Sequence, residues 1–329
     1  MYTLVLVGLI LWYIRYRLRT LRHRAAQLQE EVDKATATIR AQNESLQQAY
    51  LELAKQKDLI EAQRQDLIDS LLYARRIQTA LLPRESILKQ FFSKSFIFFQ
   101  PRDIVSGDIY WFYSPPSLSD MPRELYLLVA DCTGHGVPGA FISLLSLTLI
   151  ERVLKEGGEG SPAAILDVLS RQIAHMLNPD AGEVLKDGFE GVLCRFVRSQ
   201  ADRWQLEYAA ARRPFWIVRG NTVMELPKDP LPVGLSELPV LRGATFTPQV
   251  IDIYPGDLLY FSTDGFTDQL GGAEGKRFGL KRFRTLLTDI SRLPFEYQPE
   301  QLQETFFSWT QTGNFPQVDD ILIVGLQIP

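Results

Sequence analysis

From Leu21 to Ile77 apolar residues return every seven positions. Ala25, Val32, Ile39, Leu46, Leu53, Ile60, Leu67 and Ala74 fill one position of eight successive heptads, and the companion position reads Leu21, Leu28, Ala35, Gln42, Ala49, Gln56, Gln63, Ser70 and Ile77. A strict seven-residue repeat of this length predicts a left-handed coiled coil, because a lone helix has nowhere to bury such a stripe. Neither Gly nor Pro interrupts the 74 residues from Leu9 to Leu82, so no breaker opposes one continuous helix. The polar companion positions toward the C-terminal half weaken the seam while keeping its register. That pattern fits a parallel homodimer able to change its packing; a static spacer of about 90 Å is the other reading.

Ahead of the heptads, residues 1–14 carry no charge and are followed by Arg15, Arg17, Arg19, Arg22 and Arg24, with no acid before Glu30. Charge after the apolar run places the following chain in the cytoplasm by the positive-inside rule. Fourteen helical residues span only about 21 Å, less than the ~30 Å hydrocarbon core. The expectation is a minimal anchor in the cytoplasmic membrane, helped by snorkelling arginines and by Trp12, Tyr13 and Tyr16 at the interface. The alternative is an apolar helix start in a soluble chain.

Beyond Pro83 the periodicity changes. Short β-rich runs fall at Ser95–Gln100, Ile109–Tyr113, Leu125–Ala130, Gly191–Val197, Trp204–Ala210, Phe215–Arg219, Gln249–Ile253, Leu258–Ser262 and Ile321–Leu326. Helical spacing appears at Pro138–Lys155, Ala163–Leu177, Arg277–Ile290 and Pro299–Thr310. Strands grouped in local pairs with intervening helices predict an α+β domain of antiparallel sheets covered by helices. Three segments result: an anchor at 1–14, a coiled-coil signalling helix at 15–82, and a domain at 83–329.

Composition narrows the chemistry. A net charge of −4 offers no broad cationic face, which argues against nucleic acid as a partner. The two cysteines cannot build a disulfide framework, and His23, His135 and His175 do not fall at zinc-ligand spacing. Residues 83–329 alone carry 23 basic and 30 acidic groups, and several of those acids stand at strand ends. Asp108 precedes a strand, Asp131 ends one, Asp264 ends another, and Asp319 and Asp320 precede the last. Any single such aspartate is an ordinary turn or cap residue. If they converge about 5 Å apart at an effective dielectric near 20, each ionised pair repels by ~3 kcal/mol, so convergence calls for cations. Oxygen-only donors suit Mg²⁺ or Mn²⁺.

The segments Pro101-Arg102-Asp103-Ile104-Val105-Ser106-Gly107-Asp108-Ile109-Tyr110-Trp111 and Asp131-Cys132-Thr133-Gly134-His135-Gly136-Val137-Pro138-Gly139-Ala140-Phe141 resemble the SpoIIE-type branch of the metal-dependent PPM serine/threonine phosphatases. The likeness continues through Ser262-Thr263-Asp264-Gly265-Phe266-Thr267-Asp268-Gln269 to Asp319-Asp320-Ile321, and the helix Tyr73–Leu82 looks like the segment that leads into such domains. The resemblance implies a PPM-type α-β-β-α sandwich of two antiparallel sheets. It implies a site for two divalent cations, Mn²⁺ or Mg²⁺, on Asp108, Asp131, Asp264, Asp319 and the backbone carbonyl of Cys132, with Asp320 in support. The implied substrate is a phosphorylated signalling protein, an anti-sigma-factor antagonist or similar, and the implied chemistry is in-line attack of water on phosphorus.

Gly134 and Gly136 let backbone approach the site closely. His135 reads either as the proton donor to the leaving oxygen or as a loop histidine that shapes the turn. Arg102 reads either as a holder of the substrate phosphate or as a surface arginine. Two segments depart from the family pattern: Asp187-Gly188-Phe189-Glu190 stands for Asp-Gly-Met-Asp, and Ala209-Ala210-Ala211-Arg212-Arg213-Pro214 for an Ala-Gly-Ala-Asn-like turn. The working expectation is that a membrane sensor partner alters the coiled-coil packing and so the entry helix Tyr73–Leu82; a competing reading is a catalytically silent, membrane-tethered dimer that only binds a phosphoprotein.

Overall fold

The computed structural model describes residues 2–116, 124–156, 160–178, 186–199, 204–235 and 243–329. Residue 1 of the apolar segment lies outside them. The chain forms two compact units that divide between Asp69 and Ser70.

The described residues of the first unit are all helical, as the missing breakers predict. They are part of α1, which runs without interruption over Tyr2–Leu81. Leu21, Leu28, Val32, Ile39, Leu46, Leu53, Ile60 and Leu67 are all more than half exposed. The heptad stripe is therefore unburied within one chain, and helix propensity with pairs such as Glu30–Lys34, 2.7 Å apart, is all that supports it there.

The second unit is built on two five-stranded antiparallel sheets. One has the order β1-β12-β9-β6-β7, from Ser95–Gln100, Ile321–Gln327, Leu258–Ser262, Phe215–Arg219 and Thr222–Glu225. The other has the order β2-β3-β4-β5-β8, from Asp108–Tyr113, Glu124–Cys132, Phe189–Arg198, Trp204–Ala211 and Gln249–Ile253. Alternation along the strands divides the side chains between two faces. In β3, Leu125, Leu127 and Val129 join Cys194, Phe196, Leu206, Phe261, Leu322 and Val324 in a core between the sheets. Tyr126, Leu128 and Ala130 point the other way and pack with α3 (Gly136–Glu156) and α4 (Pro162–Leu177).

On the outer face of the first sheet, Trp216, Tyr260, Ile321 and Ile323 meet Phe283 and Leu287 of α6 (Gly279–Ile290) and Leu302 and Phe306 of α7 (Gln298–Gln311). The layers are thus α-β-β-α. Each fully buried leucine or phenylalanine contributes about 1.5–3 kcal/mol of transfer free energy, which is why strands apolar on both faces are held so firmly. Among the described residues α3 alone is long and apolar enough to cross a membrane, but half of its apolar window is buried and Ile142, Leu147, Ile150 and Leu154 belong to the core. It is a core helix.

The sequence did not predict α2 (Glu85–Phe91), β7, α5 (Gly265–Asp268), or the two-residue hairpin strands β10 (Leu270–Gly271) and β11 (Lys276–Arg277). Each is too short to show a period.

Candidate active site

Four strand ends meet at one edge of the sandwich. Asp108 opens β2 directly opposite Asp131 on β3, and Asp131 in turn pairs with Glu190 on β4. From the other sheet, β9 ends at Ser262 and delivers Thr263, whose Oγ1 donates to Asp108 Oδ2 at 2.7 Å. The same hydroxyl oxygen accepts from Leu322 N–H at 3.0 Å, so Thr263 fastens Asp108 to the start of β12 (Ile321–Gln327). Gly265 presses on the Asp320 carbonyl so closely that a Cβ there would lie 1.8 Å from the oxygen, which brings the Asp264 turn against the Asp319–Asp320 pair.

Asp320 is buried and serves as a brace. Its Oδ1 accepts from Arg102 N–H and its Oδ2 from Gly107 N–H, both at 2.7 Å. Asp319 is more open, and its Oδ1 accepts from Asp320 N–H at 2.9 Å. Behind them, backbone replaces side chains as packing material. A Cβ on Gly107 would come 2.5 Å from the Gly134 carbonyl, and one on Gly139 2.1 Å from the same oxygen. The loop before Asp108 can therefore lie flat on the start of α3.

The carboxylates feel one another. Burial pushes the Asp108 carboxyl well above its usual range, with the charges of Asp131, Asp320 and Asp264 adding to the effect and the Thr263 bond opposing it. Burial likewise raises Asp131, against the pull of Arg213 and with the push of Asp264, Asp319 and Glu190. Asp319 is also raised, first by burial, with the Asp320 N–H and His135 working the other way. Acids that disfavour their own charged forms need positive charge to ionise together.

That charge comes from a residue to which the sequence assigned no role. Arg213 Nη2 donates to Asp131 Oδ2 and to Asp264 Oδ2, each at 2.6 Å, and lies 3.3 Å from Glu190 Oε2. One nitrogen thus gathers carboxylates from both sheets. The visible signal was a pair of arginines in a turn where the related pattern is uncharged. A second overlooked residue is Gln78, buried near the end of α1. Its Nε2 donates to the Ser106 carbonyl at 2.6 Å and to Ser143 Oγ at 2.8 Å, and its Oε1 accepts from Ser106 N–H at 3.1 Å.

His135 stands on the exposed turn after β3, with Nδ1 3.2 Å from Asp103 Oδ2 and close enough to lower Asp319. Gly134 and Gly136 flank it at φ +81° and +62°, in the left-handed region that glycine takes without strain. Arg102 directs its Nη1 to the Val318 carbonyl at 2.9 Å. The Cys132 thiol is buried and pushed well upward by burial and by Asp131 and Asp108, which keeps it protonated and unreactive. Among the described residues no group of three or more His, Cys, Asp and Glu side chains closes into a ready metal shell. The donors nevertheless suit a hard divalent cation: they are carboxylate oxygens, they converge, and two already share a cationic partner.

The family model for Stage II sporulation protein E (SpoIIE) matches residues 122–329. Among solved structures, the SiaA PP2C domain of Pseudomonas aeruginosa is 31% identical, with a TM-score of 0.68 over 81% of this chain and 98% of that one. The PP2C phosphatase domain of SpoIIE from Bacillus subtilis, with a fragment of its regulatory domain, is 17% identical, with a TM-score of 0.53 over 71% of this chain and 61% of that one. The RsbU and RsbW domains of a Mycobacterium tuberculosis protein are 19% identical, with a TM-score of 0.51 over 71% and 59%. These last two likenesses speak to the fold. Curated proteins gave no match.

Proposed function

This chain belongs to the SpoIIE family and carries a PP2C-like phosphatase domain, and from that premise we propose that it removes phosphate from phosphoserine or phosphothreonine of a signalling protein with the help of Mn²⁺ or Mg²⁺. The observation that carries this reading is the meeting of Asp108, Asp131, Asp264 and Asp319 at one sandwich edge, where Arg213 bridges Asp131 and Asp264. Bound there, divalent cations would acidify the attacking water and neutralise the phosphoryl oxygens. Asp108, Asp131 and Asp264 would hold the ions from the two sheets, and Asp319 and the Cys132 carbonyl would complete the donors. Asp320 and Thr263 keep the loop before Asp108 and the Asp108 carboxylate in place. His135, exposed beside Asp319, is set to deliver a proton to the departing serine or threonine oxygen.

The protein substrate, an anti-sigma-factor antagonist or a relative of one, is proposed from family likeness. The exposed heptad stripe supports a parallel homodimer, and the uncharged 1–14 segment followed by arginines supports a cytoplasmic-membrane anchor with the phosphatase domain in the cytoplasm. A change in coiled-coil packing, imposed by a membrane sensor partner, would reach the site through Gln78 and Ser106, two residues before Asp108. Arg213 gives the silent-dimer reading its one support, since a cation already holds two of the ligand carboxylates.

Mn²⁺-dependent phosphate release from a phosphoserine protein decides between the two. Activity in the native chain that disappears in Asp264→Asn supports the enzyme; a well-folded native chain without turnover leaves only the binding protein.

A further inference from the structure

Arg213 occupies its position at a conformational cost. Its N–H donates to the Ala211 carbonyl at 2.7 Å, closing a three-residue turn with Arg212 at φ +57°, a left-handed conformation strained for any residue with a Cβ. Three further hydrogen bonds hold Arg212 there: its N–H to the Asp229 carbonyl at 2.9 Å, Nε to the Pro230 carbonyl at 3.0 Å and Nη1 to Glu190 Oε1 at 3.1 Å. The result turns the Arg213 side chain inward. Only 17% of it remains exposed, and its Nε is shut off from solvent without a partner. The ion pairs of this guanidinium all run to site carboxylates: Asp131, Asp264 and Glu190.

The oxygens it holds, Oδ2 of Asp131 and Oδ2 of Asp264, belong to two of the carboxylates that the phosphatase reading gives to a divalent cation. A guanidinium nitrogen 2.6 Å from both cannot share that space with an ion that needs the same oxygens at ~2.0–2.2 Å. Resting on that reading, we propose that Arg213 is the built-in counter-ion of the metal-free site and that a divalent cation loads by displacing it from Asp131 and Asp264. The exchange keeps the acidic edge of the two sheets together when no metal is bound. It also lowers metal affinity, because each ion must break two charge-assisted hydrogen bonds and then sit near a displaced positive charge.

Mn²⁺ binding to the purified full chain, measured by isothermal titration at fixed pH and salt, tests this without any reliance on turnover. Arg213→Gln is expected to bind its tightest Mn²⁺ at least tenfold more strongly than the native chain. Arg213→Lys, which keeps the charge and loses the fork, should fall between the two, and it carries the test if the glutamine variant does not fold. In the presence of a chelator Arg213→Gln should melt at a lower temperature than the native chain, and Mn²⁺ should raise its melting temperature by more. Equal Mn²⁺ affinity in all three proteins overturns the proposal, including the case where only KM for the phosphoprotein rises. Weaker binding in Arg213→Gln also overturns it, since Arg213 would then support the loaded site. Absence of Mn²⁺ binding from all three proteins removes the metal reading itself, and the proposal with it.

Discussion

Gln78 and Ser106 are joined by two hydrogen bonds, a side-chain amide of α1 against both polar atoms of one backbone unit, at 2.6 and 3.1 Å. Both are buried, and Ser106 lies two residues before Asp108. Replacing Gln78 with leucine keeps the bulk, strands the Ser106 N–H and leaves the Ser106 C=O only the 3.4 Å bond from Ser143 Oγ. Each unsatisfied buried group costs about 1–3 kcal/mol. Gln78→Leu should therefore lower the melting temperature and reduce Mn²⁺-dependent phosphate release; native values in both would show the clamp to be dispensable.

Thr263→Val removes a hydroxyl that links Asp108 to Leu322 while preserving shape. The lost bond favoured the ionised Asp108, so its carboxyl, already raised by burial, moves further up. We expect a stability loss of about 1–2 kcal/mol and a rising limb of the pH–activity profile displaced to higher pH. A profile superimposable on the native one would contradict this.

The raised carboxyls also set the pH dependence of the metal-free protein. Asp108 and Asp131 hold protons more tightly folded than unfolded. Between their unfolded values near 4 and their higher folded ones the native state binds more protons, so their contribution to stability is full in acid and declines as pH rises. With a chelator present, the melting temperature should fall as pH rises above the unfolded carboxyl value near 4, and Asp108→Asn should flatten that fall. Mn²⁺ should reverse the trend. Scanning calorimetry across the range would detect a native slope of the wrong sign.

Along α1, Gln56, Gln63 and Ser70 interrupt the second seam position. Changing all three to leucine should lock the packing, raise the denaturant midpoint of the dimer and alter phosphatase rate. Light scattering reports the dimer and phosphate release reports the coupling; a tighter dimer with unaltered rate would make the helix a passive spacer.

How much of this was legible depended on range. Strands such as Leu125–Ala130 declare themselves because their own residues are apolar on both faces, and the long helix declares itself by lacking breakers. Strand-end aspartates could be picked out for the same local reason, and the α-β-β-α layering followed from the strand grouping and the family likeness. Arg213 could not, since its partners are 82 and 51 positions away and nothing in a polar turn tells which way a side chain will swing. Gln78 reads as one more polar residue on a helix; only the fold, by laying Ser106 and Ser143 against it, turns it inward.

The contact among Gly107, Gly134 and Gly139 also constrains how such a protein can diversify. With main chain filling the space where a methyl group would go, not even alanine is a neutral step at Gly107 or Gly139. Side chains on the outer helices can be exchanged without touching this packing, whereas any side chain added at either of these two positions must push main chain aside.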